Sequence, residues 1–197
     1  MNASMQALLV MDVQRVVVAQ LGDRADRYLA RLAETVAAAR AAGVPVIHVR
    51  VVHRDGHPEI GPLNKPFRGL AGTDVIIESN PESGIHPAVA PLPGEPVLDK
   101  RFFSPFAGTD LDALLRARGA GTLVLTGLAT SGVVISALRD ATERQYAQIV
   151  LSDGCDDADE ETHRFLVERF FPREADVMTS AEWVAGLGGQ RSVTGTQ

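Results

Sequence analysis

The sequence predicts an α/β domain in which a parallel sheet is covered by helices on both faces. Two observations carry this. Short runs rich in β-branched and aliphatic residues recur along the chain, and they do not alternate apolar with polar positions. Continuous apolar runs of strand length suit strands buried on both faces, as in a parallel sheet. Segments of helical pattern lie between them, which is the rhythm of an α/β fold.

The elements follow in order. The first strand is Ala7-Leu8-Leu9-Val10-Met11. A helix from Asp26 to Ala42 is rich in alanine and leucine and stops at Gly43, a residue suited to the left-handed C-terminal cap. Val44 to Val49 is the second strand and Pro96-Val97-Leu98 the third. Thr109 can cap a helix that ends near Gly119, and Asp110 and Asp112 suit its positive N-terminus. Thr122 to Leu125 and Gln148 to Leu151 are the fourth and fifth strands, and a weaker run lies at Ala175 to Met178. Further helices are predicted over Ser131–Arg144 and Glu160–Phe170, with a short last one at Ser180–Trp183. The stretch from Val52 to Glu95 breaks the rhythm with seven prolines. A long irregular insertion of this kind is expected to wrap the mouth of the sheet. Residues 6–185 are expected to form the domain and 186–197, glycine-rich and polar, a frayed tail.

Composition narrows the function. The chain has 197 residues, 45% of them hydrophobic and 22% charged, enough for a packed core without disulfide or metal. Lysine and arginine total 19 against 25 aspartates and glutamates, a net charge of −6, which argues against nucleic acid as a partner. No stretch is long and apolar enough for a membrane span, and the first residues lack a secretion signal, so the expected location is the cytoplasm. One cysteine, Cys155, permits no internal disulfide.

Ligands of open parallel sheets bind beyond the C-terminal strand ends. Asp12 follows the first strand there, His48, Arg50 and His53 the second, Lys100 the third, the turn Thr126 to Gly132 the fourth, and Ser152 to Cys155 the fifth. An acid and an ammonium at neighbouring strand ends, facing a helix start, can move a proton and steady negative charge. Their proximity sets two effects against each other: the lysine lowers the acid's pKa and burial raises it. His53, Asp55 and His57 are spaced as possible zinc ligands in a loop, but loop histidines are more often unliganded, and no metal or other cofactor is expected. Thr130 and Ser131 read as helix caps. Cys155 reads as a small buried hydrophobe. Phe102, Phe103 and Phe106 either wall a pocket or pack the core.

Four motifs together carry a resemblance. They are Leu8-Leu9-Val10-Met11-Asp12-Val13-Gln14, Asp99-Lys100 followed by Ser104 to Leu111, Thr126-Gly127-Leu128-Ala129-Thr130, and Arg139-Asp140-Ala141. In this order the chain resembles the isochorismatase-like hydrolases, the cysteine hydrolase superfamily that includes nicotinamidases. The resemblance covers about residues 6–184. It implies a three-layer α/β/α domain with a six-stranded parallel sheet, a cis peptide at Leu128–Ala129, and assembly as a homodimer or larger homo-oligomer. It implies Asp12 and Lys100 as catalytic residues and a small-molecule substrate. Gln14, Arg50, Phe103 and the turn around Ala129 and Val133 are the expected substrate contacts, with Arg50 standing where the family's substrate-contacting glutamine is expected. The family's nucleophilic cysteine falls three residues after Thr130, where this sequence has Val133. A valine cannot attack a carbonyl. True isochorismatases also lack that cysteine and hydrolyse a vinyl ether with a proton donor and water.

Three functions are therefore weighed. The first is a hydrolase using Asp12 and Lys100 without a nucleophile, of the vinyl-ether type. The second is a non-catalytic small-molecule-binding relative. The third is an amidohydrolase working through Cys155.

Overall fold

The computed structural model describes residues 5–189. Six parallel strands form one sheet: β1 (Met5–Met11), β2 (Val46–Val51), β3 (Val97–Lys100), β4 (Ala120–Leu128), β5 (Ala147–Asp156) and β6 (Asp176–Met178). Their order across the sheet is β3-β2-β1-β4-β5-β6. Chain direction across the sheet reverses between β1 and β4, and a crevice opens at the strand ends at such a point. Among the described residues the α-helices are α1 (Arg15–Val18), α2 (Ala25–Ala42), α3 (Leu111–Ala117), α4 (Ile135–Glu143), α5 (Glu160–Phe165) and α6 (Ser180–Gly189). None of the described helices is long and apolar enough to cross a membrane.

The unalternating pattern of β1 has the expected cause. Ala7, Leu9 and Met11 pack on one face with Leu111 and Leu115 of α3 and with Ala137 and Leu138 of α4. Leu8 and Val10 pack on the other with Leu29, Leu32 and Val36 of α2 and Trp183 of α6. Every position from Ala7 to Met11 is buried. At roughly 1.5–3 kcal/mol for each large apolar side chain, this strand alone supplies several kcal/mol of burial, as an upper estimate.

All six predicted strands are present, and α2 stops at Gly43, which takes the left-handed conformation (φ 75°). Several boundaries move. β4 and β5 run on to Leu128 and Asp156. The helix expected from Ser131 opens as a wide π-type turn, Thr130–Val134, before α4 begins. The helix expected to reach Phe170 likewise passes from α5 into a π-type turn, Leu166–Phe170. The sequence places the start of the tail at Gly186; α6 continues to Gly189, with Trp183 and Leu187 docked on the α2 face. The rest of the expected tail lies outside the described residues.

The irregular stretch after β2 is pinned to the strand ends. The Gln14 side chain is fully buried. Its Nε2 donates to the carbonyls of Val51 (2.8 Å) and Ser83 (2.6 Å), and its Oε1 accepts from the Val51 N–H (2.9 Å). A carboxamide with both ends engaged to backbone has little left for a ligand. The sequence reading makes Gln14 a substrate contact; in the structure its carboxamide is spent on backbone and ties β1 to β2 and to the loop. Gly127, the β4 partner of Met11, has φ 140°, and a Cβ there would lie well inside van der Waals contact with the Met11 carbonyl oxygen.

Two stability measurements check these roles. Gln14→Leu should cost about 2–4 kcal/mol in chemical denaturation, because it strands one buried N–H and leaves two carbonyls short of a donor. Gly127→Ala should cost about 3 kcal/mol or more, or abolish soluble expression, since backbone and not a flexible side chain fills the space.

Candidate active site

Asp12 is placed by the end of β1. Its N–H donates to the Val49 carbonyl (2.8 Å), and the chain then turns at Asp12 itself, where φ is 55°. Aspartate is among the few residues besides glycine that tolerate this left-handed region. Lys100 ends β3, two strands away, level with Val51 of β2. Its Nζ donates to Asp12 Oδ2 at 2.7 Å and to the Phe102 carbonyl at 2.7 Å. Both side chains are buried, and Asp12 Oδ1 has no hydrogen-bond partner among the described residues. Adjacent strands are about 4.8 Å apart, so the long lysine stem crosses over β2 to reach the short acid.

The electrostatic tension is resolved by burial. Loss of solvent raises the Asp12 carboxyl to about 6, although the Lys100 charge and hydrogen bond both pull it down. The same desolvation pushes the Lys100 ammonium down, with Asp12 holding it up. The carboxyl thus exchanges its proton close to neutral pH, where a general acid or base is useful.

The turn after β4 forms the opposite wall. The Leu128–Ala129 peptide is cis. Thr130 and Ser131 do not cap α4 with their hydroxyls. The Thr130 hydroxyl bonds to the Asp156 carbonyl (3.0 Å) and to His163 Nδ1 (2.8 Å), and the Ser131 N–H donates to the Asp157 carboxylate (2.8 Å). The protein's own carboxylate therefore occupies the Ser131 amide of this helix start. Ala129 is half-buried, and Val133 is buried in the apolar cluster that includes Met11, Phe106 and Leu138. Phe103 is 39% exposed and lies over Gly132, where a Cβ would meet its ring at 3.4 Å. Its ring centre is 4.8 Å from that of Phe67, which in turn packs on Phe102. Phe103 thus stands as an aromatic wall beside the turn that carries Val133.

Arg50 is a correction. Its guanidinium grips Asp99 with two hydrogen bonds of 2.5 and 2.9 Å. Arg50 pairs in register with Asp99, whereas Lys100 pairs with Val51. Side chains alternate across a strand, so Arg50 projects from the face opposite Lys100. It is spent on a cross-strand ion pair away from the Asp12–Lys100 site.

Cys155 lies within β5 and is 2% exposed, with Sγ 3.7 Å from the Leu125 carbonyl. Burial drives its thiol far above the usual range, against what a nucleophile needs. It borders a cleft of about 750 Å³ lined by Arg24, Tyr28, Arg31, Asp153, Asp156 and His163 among others. Within that cleft Arg24 pairs with Asp156 and Arg31 with Asp153, and neither Asp12 nor Lys100 lines it.

His53 and His57 turn inward and Asp55 does not. Asp55 accepts from the Ser79 N–H, at 3.2 Å on the surface. Among the described residues, no group of three or more His, Cys, Asp or Glu side chains is arranged to hold a metal ion. Sequence reasoning did not foresee that Glu59 would approach His53. No sequence signal points to it, because the approach depends on how the loop after β2 folds back.

Comparison with known proteins fits this arrangement. The sequence profile of the isochorismatase domain matches residues 6–182. The chain is 36% identical over 195 residues to the ureidoacrylate amidohydrolase RutB of Methylobacterium radiotolerans, covering 86% of this chain and 76% of that one. It is 32% identical over 190 residues to YecD, an uncharacterized isochorismatase family protein of Escherichia coli O157:H7, covering 95% and 98%. Among solved structures, an isochorismatase family protein of Burkholderia thailandensis superposes with a TM-score of 0.81 at 30% identity, covering 93% of this chain and 96% of that one. A cysteine hydrolase of Pseudomonas syringae gives 0.84 at 25% identity, covering 94% and 93%. The domain match over most of the chain, together with these relatives, leads to one conclusion: the chain belongs to the isochorismatase family.

Proposed function

We propose that this protein hydrolyses a small polar metabolite by proton transfer through Asp12, without a covalent intermediate, and that an enol ether is the favoured substrate class. The observation that carries the reading is the buried Asp12–Lys100 pair with its carboxyl raised to about 6, next to a turn that offers valine where a thiol would be required.

An enol ether needs no nucleophilic side chain. The Asp12 carboxylic acid donates its proton to the terminal carbon of the double bond. The adjacent carbon becomes an oxygen-stabilised cation, water adds to it, and the hemiketal collapses to a carbonyl compound and an alcohol. Lys100 fixes the orientation of the carboxyl and limits how far burial can raise it. Phe103 supplies an apolar wall that keeps bulk water from the cation.

A non-catalytic binder is the second reading, favoured by the burial of Val133 in the apolar cluster. Chemistry through Cys155 has the least support, because its thiol is buried against a backbone carbonyl.

The test is hydrolysis of isochorismate and of a panel of amides and ureido compounds by purified protein. Turnover of the enol ether is expected, with kcat/KM falling tenfold per pH unit above about 6 as Asp12 ionises. Asp12→Asn should lower kcat by about 10²–10⁴. Lys100→Met should move the falling limb to higher pH, because the lysine is what holds the carboxyl down. Cys155→Ala should leave turnover unchanged. Amide hydrolysis lost on Cys155→Ala would replace the proposal by thiol chemistry, and binding without turnover would replace it by the binder.

A further inference from the structure

The groups around His53 are arranged to do something the Asp12–Lys100 pair cannot do alone. His53 is fully buried, and neither ring nitrogen has a hydrogen-bond partner among the described residues. A buried imidazole with both nitrogens idle is unusual and calls for a ligand or water. Its Nδ1 lies 3.8 Å from Glu59 Oε2, an oxygen that is itself buried and unpartnered. The other oxygen of Glu59 is anchored by Arg54 at 2.6 Å, with Arg101 at 3.8 Å. The carboxylate is therefore fixed and points its free oxygen at one nitrogen of the ring. The ring packs edge-on against Phe102, whose carbonyl receives the Lys100 ammonium. His57 lies on another side, its ring centre 5.3 Å away, with its Nε2 engaged by the Val75 carbonyl at 2.9 Å.

We propose that Glu59 and His53 form a dyad that activates the water consumed at the Asp12–Lys100 site, with Glu59 holding the Nδ1–H and Nε2 acting as the general base. The proposal rests on the nucleophile-free reading above and completes its proton balance. Asp12 gives a proton to the enol carbon, and water forms the new C–O bond while its proton passes to His53 Nε2. In the collapse, the imidazolium returns that proton to the departing alcohol oxygen. The hemiketal hydroxyl gives its proton to the Asp12 carboxylate as the carbonyl forms. Both groups end as they began, and one water has been consumed.

The charge environment suits a base. Burial lowers the affinity of His53 for a proton, as do His57, Arg101 and Lys100, while Glu59 alone among its neighbours raises it. The imidazole is thus neutral at pH 7. Turnover requires His53 unprotonated and Asp12 protonated, so the pH profile should be bell-shaped, with its alkaline limb set by Asp12.

Two measurements test the dyad. In protein labelled with ¹⁵N-histidine, long-range ¹H–¹⁵N correlation at pH 7 should show His53 as the Nδ1–H tautomer, and Glu59→Gln should disturb that preference. With isochorismate as the probe, His53→Gln should lower kcat about 10²–10³-fold with little change in KM and erase the acidic limb. Glu59→Gln should move that limb to lower pH, because the carboxylate is what raises the histidine's proton affinity. If His53→Gln fails to fold, Glu59→Gln carries the kinetic test. An unaltered kcat and acidic limb in these variants, or an Nε2–H tautomer in the wild type, would overturn the proposal. If the wild type leaves isochorismate intact, the enol-ether reading fails instead, and the tautomer alone decides the dyad: Nδ1–H lost in Glu59→Gln upholds it, and Nε2–H ends it.

Discussion

One contact organises the mouth of this sheet: the 2.7 Å hydrogen bond between the Lys100 ammonium and the Asp12 carboxylate. It joins the ends of β1 and β3 across the intervening β2. A shorter side chain than lysine would not span the gap, and a residue intolerant of positive φ would not aim the carboxyl back over the sheet. Once the two charges meet, the chain around them is constrained. The Phe102 carbonyl must face the ammonium, and the loop after β3 must close over it. Buried ion pairs are weak contributors to stability, because desolvation offsets most of their attraction. Their retention at a strand-end crevice points to a chemical use for the pair.

The way the loop is anchored supports the same division of labour. Gln14, with its bonds to Val51 and Ser83, holds the loop against the strand ends through neutral groups only. Arg101 reaches the Val52 carbonyl and Glu78, adding a second anchor on the solvent side. The unsatisfied buried atoms that remain near the mouth are Asp12 Oδ1, the two nitrogens of His53, His57 Nδ1 and Glu59 Oε2. Several of these open atoms gather on Asp12, His53 and Glu59, where a small polar ligand or water can supply the missing partners.

The fold was largely legible in the sequence because its signals are local. Apolar runs without alternation, a glycine ending α2 and aspartates at the start of α3 each report on a few neighbouring residues. Asp12 and Lys100 were legible as strand-end residues and through the family motifs, although their contact spans 88 positions. Gln14 was misread because its partners lie 37 and 69 positions away and are backbone atoms, which leave no mark on residue type. Arg50 was misread because its face is set by the β2–β3 register, which levels it with Asp99 and which residue type does not encode. The inward turn of His53 and His57 depends on how a proline-rich loop folds back, and no periodicity encodes that.

On the proposed reading, a valine in the turn after β4 and a proton held on Asp12 are linked physically. A cysteine in the turn after β4 serves catalysis as a thiolate, and the neighbouring acid then works best as a base that takes the thiol proton. That role calls for a carboxylate of low pKa. An aliphatic side chain in the turn removes the proton to be taken and adds nothing polar to solvate the carboxylate. Met11 and Val133 share one apolar cluster, and Phe67, Phe102 and Phe103 close the other side. Desolvation then outweighs the lysine, and Asp12 moves to about 6, where it can deliver a proton instead of receiving one. On the reading proposed above, such a site suits substrates whose first step is protonation at carbon.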